Sequence, residues 1–287
     1  IIHSFRGDQI YHIHDLSAIK PSDFQVFTNN FEDQTTAKKN YFQAFEKLQS
    51  AIKAEQFQKV ILSRIKTASV DVHALEIFKR LNARYLNTFN YVLSAPAIGT
   101  WMGATPETLL EIKDNKVKTM SLAGTKIPAA NWTSKEWDEQ AFVTKTILKN
   151  LQTSECHNIH TDGPQTIQAG KIEHLQTIIT ALLANKKAWV NVLHELHPTP
   201  AVCGIPTTEA RTFIQELEAH DRKFYTGFIG LINPKEKRFF VNLRCMELLA
   251  GHAKIYVGGG ITKDSDGLAE WEETERKSQT LLDVLKG

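Results

Sequence analysis

Glu270, Glu273 and Lys277 recur at i, i+3 and i+7 near the end of the chain, a spacing that puts two carboxylates and an ammonium on one helix face. They follow Val257-Gly258-Gly259-Gly260-Ile261, which reads as a strand end and a glycine turn. Backbone N–H groups and acidic side chains would then converge where a helix begins, a geometry suited to holding an anion beside a metal ion. Spacing alone equally allows a solvated helix with an ordinary Glu–Lys pair.

Other residues could serve that face. Lys59 sits within Phe57–Arg64, a run of β-formers in which Lys59, Ile61 and Ser63 share one face and Val60, Leu62 and Arg64 the other. A partly buried lysine there could have a lowered pKa and act as a general base, or it could simply blunt a sheet edge. Glu107, after a proline turn, could be a general acid or a solvated loop residue. Arg244 is placed among apolar strand residues, where a guanidinium meets a carboxylate of the protein or of a substrate. Glu139 and Glu273 begin two separate helices; convergent carboxylates without a thiol or histidine cluster suit a hard cation such as Mg²⁺, and equally complement a helix dipole. His197, in Leu196-His197-Pro198-Thr199-Pro200, is either a proton carrier or a packed turn residue.

The elements that must position these residues follow from periodicity. Helices are expected over Tyr41–Ala54, His73–Asn87, Trp137–Leu151 behind a Thr133/Glu136 capping box, Lys171–Asn185 and Thr207–Ala219. Glu139 is expected on the inward face of its helix, near Phe142 and Val143. Strands are expected at Ile10–Ile13, Asn90–Ala95, Thr100–Gly103 and Ala188–Leu193, with a hairpin Leu109–Lys113/Val117–Leu122 that ends in a glycine turn at Gly124. A meander of Tyr225–Asn233, Arg238–Leu249 and Ala253–Val257 completes the set. Antiparallel pairing outweighs βαβ alternation, so the fold class is α+β, large mostly antiparallel sheets with helices packed outside them.

The 287 residues carry 34 basic and 32 acidic side chains, a net charge of +2 that points to neither nucleic acid nor an acidic membrane surface. No apolar run approaches a membrane span and no signal pattern opens the chain, so the cytoplasm is expected. Cys156, Cys203 and Cys245 have no metal-type spacing and read as buried or free thiols in a reducing compartment. The chain begins at Ile1, consistent with a processed or trimmed product.

Taken together, the segments Lys59-Val60-Ile61-Leu62-Ser63-Arg64, Gly103-Ala104-Thr105-Pro106-Glu107, Leu122-Ala123-Gly124-Thr125, Leu196 to Pro200, Asp221 to Gly227, Asn242-Leu243-Arg244-Cys245 and Gly258 to Lys277 resemble the chorismate-utilising enzymes. That family includes isochorismate, salicylate, anthranilate and aminodeoxychorismate synthases. The match runs from about Lys59 to Leu285. Lysine rather than glutamine at Lys59 is similar to the members that add water or use an amine, and Asp221-Arg222 ahead of Tyr225-Thr226-Gly227, with Leu122-Ala123-Gly124-Thr125, is similar to the isochorismate and salicylate branch.

The resemblance implies a single chorismate-binding domain over 1–287 that lacks part of the family's N-terminal region. It also implies a Mg²⁺-dependent, reversible conversion of chorismate to isochorismate, with salicylate synthase or a non-catalytic chorismate-binding homologue as alternatives. Lys59 would be the base and Glu107 the acid. Glu139 and Glu273 would hold Mg²⁺, with Glu270 reaching it directly or through water; Glu136 and Asp138 remain open in place of Glu139. Arg244, Lys277 and the N–H groups near Gly259 and Gly260 would meet the enolpyruvyl carboxylate. Gly124, Thr125, His197 and Tyr225 would complete substrate binding. No glutaminase partner is implied.

Overall fold

The structure, a computed structural model, describes residues 1–13, 22, 24–169 and 172–286, with the side chains at 125, 135, 169 and 172 left aside. Two short strands, β1 (Ile2–His3) and β2 (Ile10–Tyr11), precede helix α1 (Lys38–Lys53), the long strand β3 (Lys59–Ser69) and helix α2 (Ala74–Arg84). Four strands follow: β4 (Phe89–Ala95), β5 (Gly99–Thr105), β6 (Thr108–Lys113) and β7 (Lys116–Lys126). Helix α3 (Ser134–Thr153) leads into strands β8 (His157–Ala169) and β9 (Ile172–Leu182), helix α4 (Trp189–Leu196), strand β10 (Gly204–Ile205) and helix α5 (Thr207–Leu217). Strands β11 (Phe228–Ile232), β12 (Glu236–Val241), β13 (Cys245–Leu249) and β14 (His252–Ile261) come before the last helix, α6 (Gly267–Lys286). Every pairing between these strands is antiparallel, as expected for the α+β class.

The chain divides into two compact units. The first comprises Ile1–Tyr11, Pro106–Cys203 and Thr226–Val241 and holds an eight-stranded sheet in the order β2-β1-β11-β12-β6-β7-β9-β8. Helix α3 buries Val143, Ile147 and Leu151, and Gln140 Nε2 donates to Ser121 Oγ at 2.8 Å on β7 and to Thr177 Oγ1 at 3.0 Å on β9. The capping box is present: the Glu136 carboxylate accepts from the Thr133 N–H at 2.8 Å.

Several expectations fail in this unit. Lys171–Asn185 was expected to be helical, yet Leu175, Thr177, Ile179 and Ala181 are buried in alternation and the segment is strand β9; Lys171 itself lies outside the described residues. Its partner β8 has no counterpart among the expected strands. Ala188–Leu193, expected as a strand, belongs to helix α4, whose buried Val192, Leu193 and Leu196 show helical spacing and whose Trp189 stacks on Phe239 at 5.6 Å. The glycine turn expected at Gly124 is a register shift within β7, where Gly124 takes φ 69° and the strand runs on to Lys126. The Ile10–Ile13 strand shortens to Ile10–Tyr11.

The second unit comprises His12–Thr105, Gly204–Tyr225 and Asn242–Gly287, with a six-stranded sheet in the order β10-β3-β14-β13-β5-β4. Its core gathers Ile77 and Leu81 of α2, Met102 of β5, Met246 of β13, Ile255 of β14 and Leu281 of α6. The expected strand Arg238–Leu249 is interrupted: β12 ends at Val241 in the first sheet, and β13 begins at Cys245 in the second. Arg244 therefore stands in a turn at φ 47°, not on a strand. The three cysteines are buried and form no disulfide among the described residues, and no helix among those residues is long and apolar enough to cross a membrane.

Candidate active site

The glycine run is part of strand β14, not the turn expected from the sequence. Gly258, Gly259 and Gly260 stand in register with Ser63, Leu62 and Ile61 of β3. Side chains alternate along a strand, so successive glycines look to opposite faces. A Cβ on Gly258 would lie 3.0 Å from the Tyr225 hydroxyl, and one on Gly260 would lie 2.5 Å from Lys59 Cε and 3.2 Å from its Nζ. A Cβ on Gly259 would instead lie 3.1 Å from Glu270 Oε2 and 3.4 Å from Glu273 Oε2. With no side chains of its own here, β14 lets a buried lysine approach one face and two carboxylates the other. Strand β13 pairs with β14 only as far as Ile255, so it leaves the glycines one edge without its cover.

Lys59 is buried at 6% exposure at the start of β3. Glu270, Glu273 and Lys277 lie on α6, which Asp266 caps by accepting the Ala269 N–H at 2.9 Å. The expected shared face is present. Lys277 Nζ is 3.0 Å from Glu273 Oε1 and donates to the Gly258 carbonyl at 3.0 Å. Glu270 is buried and accepts from Ser265 Oγ at 2.7 Å. Burial pushes the Glu273 carboxyl up, but the Lys277 ammonium and hydrogen bonds from Lys277 and Glu270 outweigh it and hold the carboxyl below its usual range. Two neighbouring carboxylates facing Gly259 offer hard oxygen ligands to a cation, so the pair fits Mg²⁺ as a partial ligand set. Among the described residues no three metal-type side chains gather, and the remaining ligands would come from water and substrate.

Arg244 is half-buried, and no carboxylate of the described residues pairs with it. Burial lowers its pKa, opposed only by Tyr85, and a guanidinium stays charged under such a shift. Such a group calls for an anion. Asn242 anchors its turn by accepting from the Tyr91 hydroxyl at 2.6 Å and donating to the Phe224 carbonyl at 2.9 Å. Tyr225 is buried, its ring 5.8 Å from that of Tyr256, and burial raises its phenol pKa.

The first unit holds the other expected residues. Glu107 is buried between β5 and β6, and its carbonyl accepts the Val241 N–H at 3.0 Å. Glu139 is half-buried at the margin of the α3 face that Gln140 and Val143 turn to the sheet, and Phe142 is exposed, so the inward placement expected for Glu139 is only partial. Glu136 is engaged in its capping box, and Asp138 is exposed. The Gly124 carbonyl meets His174 Nδ1 at 2.8 Å, and the side chain of Thr125 lies outside the described residues. His197 packs edge-on to His3 and Phe228, with ring centroids 5.3 and 5.1 Å away.

Two buried networks escaped the sequence reading. Arg64 is 1% exposed; its Nε donates to Thr274 Oγ1 at 2.7 Å, its Nη2 to Glu275 Oε1 at 2.5 Å, and its guanidinium lies 3.9 Å from the centroid of the Trp271 ring. Arg222 pairs with Glu218 at 2.8 and 2.7 Å and donates to the Ile61 carbonyl at 2.8 Å, while Glu218 accepts the Ser63 N–H at 2.7 Å. These side chains satisfy the β3 edge where β10 no longer does. Arg64 on a strand face of apolar neighbours was the available signal, since a guanidinium there needs an acidic partner.

A family model described as chorismate binding enzyme matches residues 8–286. Isochorismate synthase MenF of Escherichia coli (strain K12) is 29% identical over 294 residues, covering 94% of this chain and 66% of that protein. Isochorismate synthase EntC of the same organism is 29% identical over 245 residues, covering 80% of this chain and 62% of that one. The solved structure of MenF, the menaquinone-specific isochorismate synthase from Escherichia coli, superposes with a TM-score of 0.82 at 26% identity, covering 94% of this chain and 66% of that chain. The chain thus spans less than two thirds of the length of each. A family match over nearly the whole chain, on a fold shared with MenF, shows that this chain belongs to the chorismate binding enzyme family.

Proposed function

We propose that this chain is an isochorismate synthase, acting over residues 1–287 as one chorismate-binding domain. The observation that carries the reading is the glycine segment of β14, with buried Lys59 against Gly260 and the Glu270–Glu273–Lys277 face against Gly259. It offers a general base and an acidic cation site across a strand with no side chains between them.

Chorismate is a dianion, so its binding needs cationic partners for both carboxylates. Arg244, without a carboxylate of its own, would take the enolpyruvyl carboxylate, helped by Lys277 and the N–H groups near Gly259 and Gly260. When bound, Mg²⁺ would neutralise the ring carboxylate. Glu273 and Glu270 would hold it, water and substrate completing the set, and of the α3 carboxylates Glu139 is preferred as a further ligand because Glu136 is engaged in capping and Asp138 is exposed. Gly124, Thr125, His197 and Tyr225 would complete substrate binding.

Lys59 would take a proton from the water that attacks C2, and Glu107 would protonate the hydroxyl leaving C4. A C–O bond forms at C2 as the one at C4 breaks, the ring double bonds shift, and no covalent enzyme intermediate is needed. The product would serve menaquinone or siderophore assembly in the cytoplasm, without a glutaminase subunit. Incubation with chorismate and Mg²⁺ followed by chromatographic separation tests this: isochorismate supports the reading, whereas salicylate with pyruvate, or no turnover, overturns it.

A further inference from the structure

Helix α6 is anchored in two different ways along its length. Its C-terminal half buries Leu281, Leu282, Val284 and Leu285. Apolar burial of this kind is non-directional and leaves small rotations of a helix about its axis inexpensive. The half that carries Glu270, Glu273 and Lys277 is held by directional contacts. Trp271, Thr274 and Glu275 alternate with the acidic residues along the helix, and all three are gripped by one side chain, Arg64.

The helical phase makes this grip specific. At ~100° per residue, Glu270, Glu273 and Lys277 lie on one side of α6, and Trp271, Thr274 and Glu275 lie on the adjoining side. Arg64 stands opposite Val257 in the β3–β14 register, one residue before the glycines. Its guanidinium has a stacking face, an Nε–H and an Nη2–H, each committed to a different residue of α6, so a turn of the helix breaks all three contacts at once. Lys66 joins the same Glu275 carboxylate and reinforces the lock from two residues further along β3.

We propose that Arg64 is a positioning residue for the cation site: through Trp271, Thr274 and Glu275 it fixes the rotation of α6 that turns Glu270 and Glu273 toward Gly259. This rests on the isochorismate synthase reading, in which those carboxylates hold the divalent ion. Arg64 would act through these three residues of α6 rather than as a ligand of the cation. Outer partners of metal-binding carboxylates typically govern about 10- to 100-fold of metal affinity, and that is the size of effect expected here.

The test measures Mn²⁺ binding to the full chain by electron paramagnetic resonance of the free ion, alongside melting temperature and the Mg²⁺ dependence of chorismate turnover. Arg64→Lys keeps the charge but loses the Nε contact and the planar stack. Thr274→Val removes the acceptor of Nε together with the hydroxyl's own bond to the Trp271 carbonyl, leaves Arg64 in place, and guards against Arg64→Lys failing to fold. The proposal expects both variants to bind Mn²⁺ about tenfold or more weakly while still melting cooperatively, with turnover recovering as Mg²⁺ is raised. Unchanged Mn²⁺ affinity, or activity lost only in step with the folded fraction and not rescued by Mg²⁺, overturns it. A wild-type chain that turns over chorismate and binds Mn²⁺ while the variants match it sinks this inference alone. A wild-type chain that neither binds Mn²⁺ nor turns over chorismate sinks both readings.

Discussion

Lys59 lies directly over Gly260: a methyl group on that glycine would stand 2.5 Å from the lysine Cε, closer than carbon atoms pack. Gly260→Ala must therefore push Lys59 away while changing little else on β14. A displacement of about 1 Å at a reacting group costs on the order of a hundredfold in rate. We expect kcat to fall by about that factor, with a circular dichroism spectrum like that of the wild type; wild-type kcat would remove Lys59 from the reaction.

Glu273→Gln keeps the shape of the side chain and removes its charge beside Lys277 and Glu270. Mg²⁺-dependent turnover is expected to be lost while the cooperative thermal transition remains. Normal activity at low Mg²⁺ would contradict the ligand assignment.

The Glu218–Arg222 pair, each side chain 2% exposed, gives a pH dependence of stability. Burial raises the Glu218 carboxyl, but Arg222, with His220 and the Ser63 N–H, outweighs it and sets the folded pKa below the ordinary value. Its stabilisation is therefore fully present above the unfolded carboxylate pKa of ~4.3 and is lost as pH falls through the lower folded value. Glu218→Gln leaves Arg222 buried without its counter-charge, which costs about 3–5 kcal/mol at neutral pH. Chemical denaturation of both proteins from neutral pH down to acid should show the gap narrowing; a constant gap would contradict the assignment.

Much of the second unit was legible because its elements are amphipathic by themselves. Helix α1 buries Tyr41, Phe45, Leu48 and Ile52, and α2 buries Ile77 and Leu81, at the spacing the sequence displays. Segments whose pattern depends on a distant partner were misread. Lys171–Asn185 is rich in helix formers, and only pairing with β7 and β8 makes Ile172–Leu182 within it a strand. Arg238–Leu249 looks continuous because nothing local shows that the chain changes sheets at Asn242–Arg244. The glycines of β14 read as a turn because their role is to leave room, and what fills that room, Lys59 on one face and Glu270 with Glu273 on the other, is remote in sequence. The shared face of Glu270, Glu273 and Lys277 was visible in residue type and spacing, Lys59 was tied to it only by the family resemblance, and the Arg64 lock needed the fold.

Turnover in heavy-oxygen water tests the central claim most directly, with wild type and Lys59→Ala run side by side and the product's oxygen located by mass spectrometry. The wild-type chain should yield isochorismate carrying the heavy oxygen at C2, and Lys59→Ala should form it more slowly by about 10²–10⁴. Isochorismate without the label, a labelled product formed equally fast by Lys59→Ala, or no isochorismate at all would contradict that claim.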